Sequence, residues 1–319
     1  TVIGYQAADG LTTGAYNTVL GYDALGNATT LADHHVAIGR GAMSGAIVAE
    51  DVNFCVAVGD LAMSGALDAA ASGSVAVGRS ALAALTGGAK NTAIGYNALA
   101  ANIEGDNNVA IGYEALDAMV GQTGEGNVGD NNIAIGVDSM GAVNAGVHAD
   151  ARSDKNVAVG TGALTGGVLP DADTSLLIGN VAIGYHALTG TGVAPQTGTI
   201  AIGYNALESL TSGGSNVAVG YQALKALTTG DRNIAIGKNA MDAVDRTESD
   251  NIAIGSNAMG AVDEGSGGDA HANTNVAIGS NALLGGPFGS SDKSLSANIA
   301  IGDNALASTS TNAQTGTIA

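Results

Sequence analysis

A short apolar phrase closed by glycine returns along the whole chain at intervals of 17 to 24 residues. It reads apolar-Ala-apolar-Gly, is usually opened by Asn, and in most copies is trailed by Ala-Leu or Ala-Met. Asn108-Val109-Ala110-Ile111-Gly112 followed by Ala115-Leu116 is one copy, and Asn233-Ile234-Ala235-Ile236-Gly237 followed by Ala240-Met241 is another. The closing glycine falls sixteen times, from Gly4 to Gly302. Self-similarity at this period marks a solenoid, in which one repeat forms one rung and buries its apolar face only against its neighbours. The repeat overrules the two-domain reading that 319 residues otherwise suggest, because a stack grows by adding rungs. Residues 1–319 therefore read as one continuous repeat shaft, cut from a longer chain: Gln314–Ala319 copies Gln196–Ala201 and stops short of the next glycine.

Within a repeat, the first four residues alternate as a short strand does, with the outer pair on one face and the middle residue on the other. The outer positions hold Val, Ile, Leu or Thr. The middle one is Ala in all copies but the first two, which have Val2 and Val19. The glycine then ends the strand with a bend that a Cβ opposes. Ala-Leu predicts a second short strand that returns an apolar side chain to the interior, followed by a polar turn such as Thr228-Thr229-Gly230-Asp231-Arg232. The fold class is thus all-β, a parallel solenoid of about sixteen short two-strand rungs spaced about 4.8 Å apart. Asn before the strand (Asn17, Asn91, Asn108, Asn132, Asn156, Asn180, Asn216, Asn233, Asn251, Asn275, Asn298) predicts an amide ladder at one corner. Cys55 takes that slot once, where a buried small residue is expected and no disulfide can form within the chain.

Two apolar faces on one thin rung need two partners. Val and Ile are expected to pack inside the rung, leaving an Ala stripe that a monomer rarely exposes. Association of several chains along the Ala stripe, as a symmetric homotrimer, resolves this. The net charge of −19, from 29 acidic and 10 basic residues, disfavours nucleic-acid partners, and no apolar stretch has the length of a membrane span.

The phrase Asn-Val-Ala-Ile-Gly-x-x-Ala resembles the head repeats of trimeric autotransporter adhesins, and the Tyr-Asn-Ala-Leu variant with Thr-Thr-Gly turns resembles repeats of bacteriophage tail fibres. The resemblance covers essentially all of residues 1–319. It implies a left-handed β-roll in a homotrimeric extracellular fibre, on a virion or a bacterial surface. Such a fibre binds a host receptor or glycan and catalyses nothing. The rungs here are longer and less uniform than those of adhesin heads, which favours the tail fibre. A purely structural filament shares every internal feature. No Ser-His-Asp set, phosphate loop or aligned carboxylate groove suggests an enzyme.

Irregularities mark candidate sites. Long-loop rungs at about 113–184 and 256–302 extrude Gly-, Asp- and Ser-rich segments at about 117–131, 141–155, 165–180, 260–274 and 284–297. Tyr5, Tyr22, Tyr96, Tyr113, Tyr185, Tyr204 and Tyr221 all follow the glycine. They form either a stacked ladder or, at Tyr96, Tyr113, Tyr185, Tyr204 and Tyr221, a sugar-binding surface. No cofactor is implied. Calcium at acidic turns such as Glu104–Asn108 and Glu248–Asn251 competes with ordinary Asx turns. His35 stands in the Asn slot, where three copies meeting on a trimer axis could hold a metal.

Overall fold

A computed structural model describes residues 1–28, 32–47, 52–119, 129–143, 152–166, 176–190, 196–243, 247–262, 272–285, 295–307 and 314–319. It divides into two compact units, one built on Thr1–Thr161 and one on Leu176–Ala319 with the turn that starts at Gly162. Most of the extruded segments singled out from rung length lie outside the described residues.

All sixteen phrases form strands, nine in the first unit and seven in the second. They pair in parallel with identical positions stacked. In the first unit Thr92, Val109 and Ile133 share one column, and Ala93, Ala110 and Ala134 the next. In the second, Ala201, Ala218, Ala235 and Ala253 align in the same way. The column persists although the interval before Gly112 is 17 residues and that after it 24. The register is kept across the longer interval, since a one-residue slip would move every side chain to the wrong face. The fold is an all-β solenoid, and no described helix is long and apolar enough to cross a membrane.

The structure corrects two expectations. First, Ala-Leu is a turn. Asn97 and Leu99 have φ of +54° and +52°, and the same left-handed pair recurs at Asn205–Leu207 and Asn239–Met241. The turn still bonds along the stack: Asn97 N donates to Arg79 O at 3.0 Å and Leu99 N to Ala115 O at 3.0 Å. A left-handed leucine costs roughly 1 kcal/mol or more. Here its side chain is fully buried and its amide is paired. The second set of short strands lies instead just before the Asn slot, as at Ala272–Asn273, Leu295–Ser296 and Gln314–Thr315.

Second, the rung is turned inside out relative to expectation. The middle Ala points inward and the outer Val and Ile point outward: Ala235 is 0% exposed and Ile236 39%. The interior of each rung is the strand Ala, the turn Ala and Leu or Met, and often one more apolar residue such as Leu85, Leu210 or Leu227. The roll is thin, and in every rung from the third on a methyl is all that stands at this position between the strand and its own turn; Val19 in the second rung is the larger residue buried there. The restriction to Ala thus records close packing within one chain, not between chains.

The glycine after the strand is set by the same closeness. Gly95 and Gly112 have φ of +142° and +145°, and a Cβ on either would collide with the carbonyl of the glycine one rung on. Backbone sits directly on backbone at this column.

Candidate functional site

The inner corner of each rung is closed by the predicted Asn ladder. Asn108 N donates to Asn91 Oδ1 at 2.9 Å, Asn132 N to Asn108 Oδ1 at 2.9 Å and Asn156 N to Asn132 Oδ1 at 3.0 Å. The amide nitrogens bond across to the turn that leads into the next rung, as Asn108 Nδ2 does to Gly129 O at 2.7 Å. The second unit repeats the pattern from Asn216 through Asn298. All these side chains are buried. Each buried amide is therefore both donor and acceptor, which is what a buried polar group requires.

Four other residues enter this column within the sixteen phrases; Thr199 in the second unit takes part through its backbone, its N donating to Asn180 Oδ1 at 3.0 Å, and the three in the first unit keep the side-chain chemistry. Ser74 Oγ donates to Gly88 O and accepts from Asn91 N, each at 3.2 Å. Cys55 is buried, as expected, with Sγ 3.4 Å from Ala71 O. Burial pushes its thiol above the usual range, so it is unreactive. His35 is also fully buried. Its Nε2 bonds Val52 O at 2.9 Å and its Nδ1 accepts from Cys55 N at 3.3 Å. Both ring nitrogens are engaged inside the roll, which contradicts a metal held by His35 on a trimer axis.

The outward surface carries three parallel columns on its strand side: the two outer strand residues and the residue after the glycine. The strand columns are Val and Ile apart from Thr18, Leu20 and Thr92, half-buried or exposed throughout. In the third column the tyrosines stack. Tyr96 and Tyr113 have centroids 5.3 Å apart and nearly parallel planes, at 7°. Tyr185, Tyr204 and Tyr221 follow one another at 5.2 and 5.3 Å. The ladder reading is thus the one realised. The faces that neighbouring rings turn to each other are taken up by this stacking, and the rings remain 36–51% exposed. The Glu114 carboxylate beside Tyr113 raises the phenol above its ordinary range.

Two features of this surface were readable from position and were missed. The third column is charged between Tyr22 and Tyr96: Arg40 and Arg79 flank Asp60 at 2.8 and 3.5 Å, and Arg79 also bonds the Tyr96 hydroxyl at 2.8 Å. The residue just before the Asn slot takes a left-handed conformation in rung after rung. In three successive rungs it is aromatic, with Tyr16, His34 and Phe54 stacked at 4.8 and 4.9 Å. All three lie five residues before the glycine.

The acidic turns are built as Asx ladders. Asp106 accepts from Ala89 N, Asp130 from Asp106 N and Asp154 from Asp130 N, at 2.7 to 3.0 Å. Asp250 accepts from Nε and Nη2 of Arg232, which lowers its carboxyl below the ordinary range. These oxygens already have partners, and among the described residues no group of three or more His, Cys, Asp or Glu side chains is placed to hold a metal. Among the described residues the most strongly shifted carboxyl is Asp117. Burial and the neighbouring Glu114 and Asp138 carboxylates push it up to about 6.

No protein-family model, curated protein or solved structure matches this sequence.

Proposed function

We propose that this chain is a non-enzymatic shaft of an extracellular fibre, a left-handed β-roll that associates as a homotrimer and presents a host-binding surface, as in a bacteriophage tail fibre. The observation that carries the reading is the outward Val/Ile face. It runs as a pair of apolar columns, unbroken in the second unit and interrupted in the first only by Thr18 and Thr92, at the strand positions that resemble the adhesin and fibre repeats. Soluble monomers seldom leave so long an apolar stripe in water, and copies of the same chain at the same height offer matching stripes. The Ala stripe cannot serve this purpose, because it is buried within the chain.

The stacked Asn, Asx and Tyr ladders support the structural half of the proposal. Each ties one rung to the next, and none converges on a cleft. The adhesive half draws on the acidic, loop-bearing exterior, suited to a receptor or glycan and not to nucleic acid. The outer location follows from the fibre reading alone.

The test is binding of fluorescently labelled protein to intact bacterial cells from a diverse panel. Saturable binding that unlabelled protein displaces on at least one strain is the expected result. Trimers that bind no strain would reduce the proposal to a purely structural filament.

A further inference from the structure

The Asn column contains one titratable ring in a place designed for an amide. His35 imitates asparagine only as the neutral Nε2–H tautomer: Nε2 donates to Val52 O at 2.9 Å, leaving Nδ1 bare to accept the Cys55 amide at 3.3 Å. The same peptide segment is tied above and below. His35 N donates to Asn17 Oδ1 at 2.8 Å, and Val36 N to Cys55 O at 3.0 Å. A second proton on the ring has to sit on Nδ1. It would then face the Cys55 N–H, donor against donor, in a site with no water access to the ring.

We propose that the rung at His35 is an acid-labile joint of the first unit: protonation of the buried imidazole breaks its bond to the Cys55 amide and opens the rungs stacked against it. In the rungs above and below, an asparagine, a serine or a thiol performs the same task without a proton to gain in this range, so the joint is local.

The charges around the ring do not offset this. Asp33, two residues before His35 in sequence, favours the imidazolium, but its Oδ1 already accepts from Ala15 N at 2.5 Å. His34 opposes the charge from the exposed side, where it is sandwiched between Tyr16 and Phe54. The adjoining rungs contribute Asn17, which has no charge, and Cys55, whose thiol stays neutral. Burial is the largest influence and holds the imidazole below its ordinary value. The sign follows. An unfolded histidine takes its proton near 6.5, the folded one only at lower pH, so stability is intact above about 6.5 and is lost as pH falls from there through the folded value.

The experiment is native-state hydrogen exchange between pH 7.5 and 5, corrected for intrinsic rates, on the wild-type chain and on His35→Asn. The variant restores the residue most rungs already use, so it is expected to fold. In the wild type, opening at the Val36, Cys55 and Val56 amides should rise severalfold on acidification. The Asn132 and Asn156 amides, in an all-asparagine stretch, should not follow. In His35→Asn the rise should vanish. Nitrogen shifts of the imidazole at pH 7.5 should report the Nε2–H tautomer. Equal acid opening in wild type and variant, or an Nδ1–H tautomer at neutral pH, would overturn the proposal.

Discussion

Replacing Asn108 by alanine tests whether the amide column holds the stack together. The wild-type side chain accepts from Asn132 N at 2.9 Å and donates to Gly129 O at 2.7 Å. Alanine removes both partners and leaves a buried N–H and a buried C=O behind. An unsatisfied buried group costs about 1 to 3 kcal/mol, so the pair costs about 2 to 6 kcal/mol. That is a large part of an ordinary domain's stability of about 5 to 15 kcal/mol. Asn108→Ser supplies the control, because Ser74 already occupies this column with one bond given and one accepted. It should cost less than half as much. Repeat stacks do not always unfold in one step. The readout is therefore native-state hydrogen exchange at the Asn132 amide, with urea unfolding followed by circular dichroism alongside. Equal costs for alanine and serine, or a cost for alanine below about 0.5 kcal/mol as for an ordinary surface change, would refute the reasoning.

Three further substitutions probe other columns. Gly112→Ala forces a Cβ against the Gly136 carbonyl at a φ of +145° and should lower stability by roughly 3 kcal/mol or more, measured by chemical unfolding. Tyr204→Ala removes two stacked contacts of an exposed ring and should cost about 1 to 3 kcal/mol in the same assay, with the fold kept by circular dichroism. Asp117→Asn tests a carboxyl whose folded value near 6 lies above its unfolded one. Its wild-type form contributes stability at low pH that is lost as pH rises from about 4 through 6. The variant should therefore gain about 1 kcal/mol at pH 7, a figure discounted for partial exposure, and nothing at pH 4.

Much of the fold was legible because identical residues at a fixed interval must be stacked on one another. The sixteen strands, the bend at each glycine, the Asn ladder, buried Cys55 and the stacked tyrosines all follow from that. What failed was the choice of face. Strand alternation separates Ala110 from Val109 and Ile111 but does not say which side is inside, and hydrophobicity favoured the larger residues. Size decides it: a roll this thin takes a methyl between strand and turn in every rung but the first two, and the bulkier Val and Ile go outside. The turn was misread for a related reason, since left-handed Leu99 and Leu207 defy propensity and are sustained only by burial and rung-to-rung amide bonds. The His34 stack and the Arg40–Asp60–Arg79 column were missed although their offsets from the glycine align, because they are charged or aromatic in only a few rungs. His35 was placed in the correct column and given the wrong surroundings, the direct consequence of the inverted face.

The most direct test of the account is the mass of the native chain in solution, by sedimentation equilibrium at neutral pH, with Ile202→Glu/Val219→Glu as the partner sample. Both positions lie in the outward apolar column and are half-buried in the single chain. The account predicts three times 30.8 kDa for the wild type, and a folded species of 30.8 kDa for the variant. A wild-type chain that is well folded at 30.8 kDa would contradict association through the Val/Ile face, and with it the trimeric fibre.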